Sequence, residues 1–147
     1  MDSSRSVTIV EVGPRDGFQN ITDFIPTGEK VKIVEMLVDA GVTQMEVSSF
    51  AHPKWIPQLA DAAEVFARID RKPGVVYGAF VPNERGFERA VECGVKEVLL
   101  TMACTEKFNV ENLNMPIEET LALFGRVVLR AKEEGVKVNV GLAGAFG

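Results

Sequence analysis

The chain contains 147 residues, of which 46% are hydrophobic and 25% are charged, and it carries a net charge of −5 at pH 7. This composition is typical of one soluble globular domain or of part of a larger one, and the acidic balance, without any basic run, argues against a nucleic-acid partner. Residues 1–6 contain no apolar leader and no run of about 18 apolar residues occurs, so we expect no secretion signal, no membrane span and a cytoplasmic location.

Short apolar runs and helical apolar spacing alternate along the chain, which predicts strands alternating with helices. The predicted strands cover 7–12, 44–48, 75–81, 95–102 and 136–142. The four predicted helices begin at Thr27 as N-cap, at Pro57, after the cap formed by Pro82 and Asn83, and at Pro116. They end at Gly41, before Lys72, at Gly94 and at Gly135. A polar loop is expected between the fourth strand and the fourth helix.

The apolar spacing also predicts the buried side of each helix. The residues expected to face inward are Val31, Val34, Leu37 and Val38 in the first helix, Leu59, Ala63, Phe66 and Ala67 in the second, Phe87, Ala90 and Val91 in the third, and Ile117, Leu121, Phe124, Val128 and Ala131 in the fourth. Cys93 and Cys104 are too few and too isolated for a disulfide framework or a zinc site, so we expect two buried free thiols.

Apolar strands that alternate with amphipathic helices predict a parallel sheet with helical crossovers. Two architectures have this pattern: a complete five-stranded, flavodoxin-like sheet and the first half of an eight-stranded (β/α)₈ barrel. Composition leaves both open. The order of the strands distinguishes them, because it is sequential in the barrel and 2-1-3-4-5 in the flavodoxin-like sheet.

The most informative motif follows the first predicted strand, where Arg15 and Asp16 stand between Gly13 and Gly17. Ligands of parallel α/β folds bind at the carboxyl ends of the strands, so this position suits chemistry. Asp16 offers a hard oxygen ligand for Mg²⁺ or Mn²⁺, and Arg15 offers a permanent positive charge for a carboxylate or an enolate. The alternative is a turn with a surface salt bridge.

The residues from Thr8 to Asn20, together with 46–50, 53–58 and 81–83, resemble the N-terminal half of the 3-hydroxy-3-methylglutaryl-CoA lyases. The resemblance implies a (β/α)₈ TIM barrel, of which residues 1–147 supply the first four βα units and strand five of a single catalytic domain. It also implies that the C-terminal half of the barrel lies outside this chain.

The resemblance implies a role for five side chains. Asp16 is expected to bind a divalent cation, Mg²⁺ or Mn²⁺, and Arg15 to contact the thioester oxygen of an acyl-CoA substrate. Glu46 is expected at the active site, where it holds Arg15 or a metal-bound water; its alternative is an internal salt bridge. Gln19 either contacts the acyl portion or closes the turn, and Thr105 is expected to touch the substrate.

The activity that the resemblance implies is cleavage of 3-hydroxy-3-methylglutaryl-CoA to acetyl-CoA and acetoacetate by metal-assisted retro-Claisen chemistry. In that family the other metal ligands and a catalytic Cys belong to the second half, so this piece alone is expected to be inactive. His52 is expected to be a surface loop residue. The alternatives are a related acyl-CoA lyase, aldolase or condensing enzyme, or an inactive half-barrel that acts by association. We also expect a homo-oligomer.

Overall fold

A computed structural model describes residues 7–146 of the chain. Residues 1–6, on which the expectation of no leader rests, lie outside this range. The helices are α1 (Thr27–Asp39), α2 (Ala62–Arg68), α3 (Glu84–Glu92), α4 (Glu106–Leu113) and α5 (Ile117–Glu133), and the strands are β1 (Gln44–Ser49), β2 (Val76–Phe80), β3 (Glu97–Ala103) and β4 (Lys137–Ala143). None of these helices is long and apolar enough to cross a membrane.

The four strands form one parallel sheet in the order β1-β2-β3-β4. In a flavodoxin-like sheet the first predicted strand would separate the second from the third, but here β1 and β2 pair directly. The sequential order therefore excludes the flavodoxin-like alternative. It is the order of a (β/α)₈ barrel, in which each crossover returns to the next position around the ring.

The first predicted strand, 7–12, is reduced to a single parallel bridge between Glu11 and Met45. The Glu11 amide donates to the Gln44 carbonyl at 3.0 Å, and the Glu46 amide donates to the Glu11 carbonyl at 2.8 Å. Val7 and Ile9 expose more than four fifths of their surface. The prediction of a full strand is wrong among the described residues because this segment lacks the burial that stabilises an apolar strand.

The helices cover one face of the sheet and enclose a single apolar core. Its fully buried members include Val34 of α1, Phe66 of α2, Phe87 of α3, Leu100 of β3 and Val127 of α5. Phe50, which follows β1, stacks on Phe66 with ring centroids 5.7 Å apart. The core therefore fixes each βα unit against its neighbours.

Two helix starts test the capping predictions. Asn83 is confirmed as a cap, since its Oδ1 accepts the Gly86 amide at 2.8 Å. Thr27 is not a cap: it is the first residue of α1, behind Pro26, and its hydroxyl donates instead to Asp61 Oδ2 at 2.8 Å. The Thr27 hydroxyl, which the local sequence predicts as a helix cap, therefore bonds to a residue far away in the chain instead.

The buried faces of α2 and α5 differ from the predicted ones. In α2 the buried residues are Ala62, Val65 and Phe66, whereas Ala63 and Ala67 are exposed. The chain forms a separate 3₁₀ turn at Pro57–Leu59 before α2 begins, and this break shifts the helical phase. In α5, Leu123, Phe124, Val127 and Ala131 are buried, but Leu121 and Val128 are exposed.

The prediction of a polar loop after β3 is wrong, because this segment forms α4. Thr105 caps the helix, and the fully buried Asn109 anchors it. The Asn109 amide accepts the Ala103 N–H at 2.9 Å and donates to the Met115 carbonyl at 2.9 Å and to Thr120 Oγ1 at 2.8 Å. The hydrogen bonds of the buried Asn109 thus hold α4 in place. The helix lacks the stripe of apolar residues by which the sequence pattern predicts helices.

We predict that Ser48→Ala stabilises the protein. Ser48 is buried in β1 and its Oγ has no hydrogen-bond partner among the described residues, a situation that costs roughly 1–3 kcal/mol. Urea denaturation should show a free energy of unfolding higher by about 1 kcal/mol. Ser49→Ala is the matched control, because Ser49 Oγ accepts the Ala51 amide at 3.1 Å. A Ser48→Ala variant as destabilised as this control would contradict the prediction.

Candidate active site

The motif residues Gly13–Gly17 form one wide turn of π-helical type directly after the Glu11 bridge. The Val12 carbonyl accepts the amides of Arg15 and Asp16 at 3.1 and 2.7 Å, and the Phe18 amide donates to the Gly13 carbonyl five residues back. Such turns are rare and occur often at functional sites. The turn presents Arg15 and Asp16 beside β1.

Glycine at the first residue of this turn lets the Glu11 carboxylate approach the backbone closely. The Gly13 amide donates to Glu11 Oε1 at 2.6 Å, and a Cβ placed on Gly13 would stand 2.9 Å from the same oxygen. A larger residue would therefore push away the carboxylate that holds the start of the turn. Sequence reasoning missed Glu11; its only signal was a carboxylate in an otherwise apolar run.

Two carboxylates hold the Arg15 guanidinium. Its Nε donates to Glu46 Oε2 at 2.6 Å, and its Nη1 donates to Asp16 Oδ1 at 2.8 Å. The side chains of Arg15 and Glu46 are only 17% and 12% exposed, whereas Asp16 is 52% exposed. Arg15, Asp16 and Glu46, three of the residues expected at the site, therefore lie together around one guanidinium. Glu46 is the third of the six residues of β1, so it lies inside the strand.

Phe80, the last residue of β2, completes the surroundings of Arg15. The Phe80 ring centroid lies 5.6 Å from Arg15 Cζ, within the range of a cation–π contact. In register, Phe80 lies next to Ser49 on one side and Leu99 on the other. Sequence reasoning missed this contact, and the position of Phe80 at a strand end beside the 81–83 motif was the available signal.

The residues after the turn close on Asp16. Gln19 Nε2 donates to Asp16 Oδ1 at 2.9 Å, and Asn20 Nδ2 donates to the Asp16 carbonyl at 2.7 Å. Of the two roles expected for Gln19, the described contacts support the one in which Gln19 closes the turn. The bonds from Arg15 and Gln19 both fall on Oδ1, and Oδ2 makes no hydrogen bond with the described residues.

Thr105 lies after β3, at the same carboxyl end of the sheet as the motif turn. Its Oγ1 accepts the Phe108 amide at 3.4 Å as the cap of α4. No hydrogen bond within 7–146 joins Thr105 to Arg15 or Asp16. The structure therefore gives Thr105 a capping contact and leaves its substrate contact a prediction.

The remaining candidates occupy loops or helix ends. His52 is exposed, and its Nδ1 accepts the Lys54 amide at 3.2 Å, as expected for a loop residue. Both cysteines are free, but Cys104 is exposed after β3, so the expectation that it is buried is wrong. Cys93 is partly buried, and this burial raises the pKa of its thiol.

The part of the chain that the structure describes gathers no group of three His, Cys, Asp or Glu residues able to hold a metal ion. A divalent cation of the Mg²⁺ type needs several oxygen ligands in near-octahedral order. Asp16, with an exposed carboxylate, suits one of those ligands. Residues 7–146 fit such a cation only as part of a larger ligand set.

The family model described as HMGL-like matches residues 6–147. The chain belongs to the HMGL-like family. It is 46% identical over 139 residues to a 3-hydroxy-3-isohexenylglutaryl-CoA/hydroxy-methylglutaryl-CoA lyase of Pseudomonas aeruginosa, covering 95% of this chain and 46% of that protein. It is 45% identical over 135 residues to the mitochondrial hydroxymethylglutaryl-CoA lyase of Bos taurus, covering 92% and 42%.

Solved structures of HMG-CoA lyases agree closely with the HMGL-like chain. The Bacillus subtilis enzyme superposes with a TM-score of 0.94 at 41% identity, over 100% of this chain and 49% of that one. An Acinetobacter baumannii enzyme in complex with coenzyme A and 3-methylmalate gives 0.93 at 32% identity, over 100% and 48%. The chain thus spans about half the length of the relatives it matches. With the sequential sheet, these matches show the TIM-barrel fold.

Removing only one partner of the ion pair between Arg15 and Glu46 is expected to destabilise the protein. Because both side chains are mostly buried, we predict that Glu46→Leu lowers the free energy of unfolding by about 3 kcal/mol. The double variant Arg15→Leu, Glu46→Leu should recover most of this loss, since no charge of the pair is then left buried. A Glu46→Leu variant of wild-type stability in urea denaturation would refute the prediction.

The two thiols are predicted to differ in reactivity. Iodoacetamide reacts with thiolates, so the exposed Cys104 should be labelled well before Cys93, whose raised pKa and partial burial keep its thiol protonated. Peptide mass spectrometry after a time course at pH 8 measures both sites. Cys93→Ser should leave the fast phase unchanged, and Cys104→Ser should remove it. Equal rates would contradict the prediction.

Proposed function

We propose that this chain is the N-terminal half of the catalytic barrel of a 3-hydroxy-3-methylglutaryl-CoA lyase. The observation that carries the proposal is the preorganised guanidinium of Arg15, held at 2.6 Å by Glu46 and at 2.8 Å by Asp16. The domain assignment, the first four βα units and strand five of one barrel, belongs to the same proposal. Similarity to HMG-CoA lyases over 92–95% of the chain supports it.

The reaction breaks one carbon–carbon bond and forms an enolate. Loss of the 3-hydroxyl proton turns the hydroxyl carbon into the ketone of acetoacetate, and the electron pair of the broken bond passes to the thioester enolate. Protonation of this enolate gives acetyl-CoA. Negative charge grows on the thioester oxygen, so a fixed positive charge beside that oxygen lowers the barrier.

Arg15 is the residue proposed to stabilise this charge. Glu46 and Asp16 hold two of its nitrogens, and the Phe80 ring lies against the guanidinium, so little reorganisation is needed during reaction. Glu46 acts in this proposal by holding Arg15. Nη2 of Arg15 makes no side-chain bond with the described residues, so it is the nitrogen proposed to donate to the substrate oxygen.

Asp16 is proposed to bind a divalent cation, Mg²⁺ or Mn²⁺. When bound, such a cation orients the oxygens of the substrate and acidifies its hydroxyl group. The Arg15 and Gln19 donors on Oδ1 fix the direction of the Asp16 carboxylate. The other ligands are expected from the part of the enzyme beyond residues 7–146.

The proposal of an acyl-CoA substrate is based on the relatives. The Acinetobacter baumannii structure holds coenzyme A and 3-methylmalate, and the Pseudomonas aeruginosa relative is named for a longer isohexenyl substrate as well as for the methyl one. A longer branched acyl-CoA is therefore a second candidate substrate. Assays of purified enzyme with both thioesters, followed by release of acetyl-CoA, decide between them.

We also propose substrate contacts by Gln19 and Thr105, assembly into a homo-oligomer and a cytoplasmic location. One of the relatives above is a mitochondrial enzyme. The related aldolase or condensing activity and the non-catalytic half-barrel are the outcomes to be expected if the complete enzyme releases no acetyl-CoA.

In the complete enzyme, Arg15→Gln is predicted to lower kcat by about 10²–10³, because one preorganised donor to the developing oxyanion is lost. Asp16→Ala should instead raise the Mg²⁺ concentration needed for half-maximal rate. Steady-state kinetics across Mg²⁺ and Mn²⁺ titrations separates the two effects. The control is Arg126→Gln, whose residue pairs with Glu84 on the surface of α5. Near-normal turnover by Arg15→Gln would remove Arg15 from the mechanism.

A further inference from the structure

The segment between the motif turn and α1 has no regular secondary structure, yet one side chain holds most of it. Gln58 Nε2 donates to the carbonyls of Ile21 and Asp23, both at 2.6 Å, and Gln58 Oε1 accepts the Ile25 amide at 3.3 Å. Gln58 is only 7% exposed. A single buried amide therefore replaces the backbone partners that a helix or strand would supply.

Lys30 of α1 fixes Gln58 from the other side. Its ammonium donates to the backbone carbonyl of Gln58 and, at 2.6 Å, to Asp61 Oδ1. The same ammonium lies 4.3 Å from the ring centroid of Phe24. Lys30 is 2% exposed. A buried ammonium is tolerated only when it is paired and hydrogen-bonded, so Lys30 is committed to this arrangement.

Hydrogen bonds connect the held segment to the candidate active site without a break. The Ile21 amide donates to the Phe18 carbonyl at 3.0 Å, and the Asn20 amide donates to the Gly17 carbonyl at 3.3 Å. Asn20 Nδ2 also donates to the Asp16 carbonyl at 2.7 Å. The chain from Asp16 to Ile21 is thus one hydrogen-bonded unit whose last carbonyl is bound by Gln58.

We propose that Gln58 is a positioning residue for the active site, supported by Lys30 and Asp61. By holding the segment 21–25, it fixes the far end of the motif turn, and so sets the place of the Asp16 carboxylate relative to the ion pair of Arg15 and Glu46. The consequence for catalysis rests on the proposed lyase function. The consequence for the structure of the turn does not.

Gln58→Met tests the proposal, because it keeps the length of the side chain and removes all three bonds. Hydrogen–deuterium exchange of the complete protein, read by mass spectrometry, should show amides of 15–25 exchanging at least about tenfold faster, with β2 and β3 unchanged. In the active enzyme, the Mg²⁺ concentration for half-maximal rate should rise about 10-fold or more, with the thioester KM nearly constant.

Arg71→Met is the matched control. Arg71 also binds three backbone groups, the carbonyls of Phe66, Cys93 and Gly94, and it lies away from the motif turn. Its loss should speed exchange around those residues and leave 15–25 and the Mg²⁺ dependence at wild-type values. A general loss of stability would raise exchange alike in both variants, and that result would overturn the positioning role.

Asp61→Asn provides a milder second variant if Gln58→Met does not fold. It keeps the size and an oxygen acceptor for Lys30 but removes the charge, so a smaller rise in exchange is expected at 15–25 and at the start of α1, where the Thr27 hydroxyl also bonds to Asp61. Wild-type exchange at 15–25 in a folded variant at Gln58 or Asp61 would refute the proposal. Since exchange needs neither substrate nor metal, a wild-type enzyme without lyase activity would refute the proposed function and leave this test intact.

Discussion

The ion pair between Arg15 and Glu46 joins the motif turn to β1. Between Arg15 Nε and Glu46 Oε2 the distance is 2.6 Å, and the residues are 31 positions apart. The first predicted strand contributes one bridge to the sheet, and this ion pair adds a side-chain attachment between the motif turn and β1. Because both side chains are mostly buried, each charge depends on the other. One interaction therefore both attaches the motif turn to β1 and orients the Arg15 guanidinium.

The two ends of the sheet use polar residues differently. Near the amino end, Glu97 accepts from Gln44 and from Lys137, which ties the first residues of β1, β3 and β4 together. In barrel folds this end serves stability, and the carboxyl end serves chemistry. Here the carboxyl end carries the motif turn and the cap of α4. Polar contacts thus secure the amino end of the sheet, while its carboxyl end carries the candidate site.

Three buried polar side chains organise the loops at the carboxyl end. Gln58 holds the segment after the motif turn, Asn109 holds the junction of β3, α4 and α5, and Lys30 locks Gln58 in place. Each binds backbone groups that irregular segments leave without partners. Loops fixed in this way can present reactive groups with little motion, which suits a site that works by preorganised charge.

The sequence alone determined the alternation of strands and helices, the turn that carries Arg15 and Asp16, and its likeness to a lyase family. These features are local, since apolar periodicity and a short motif can be read without knowing any partner. Only tertiary structure decided the sequential strand order, the hydrogen bond from Thr27 to Asp61, the helix around Asn109, and the exposure of Cys104. It also decided that Glu11, Phe80 and Gln58 surround or support the turn. Those contacts join residues whose spacing in the chain carries no period, so they exist only once the sheet has brought the segments together.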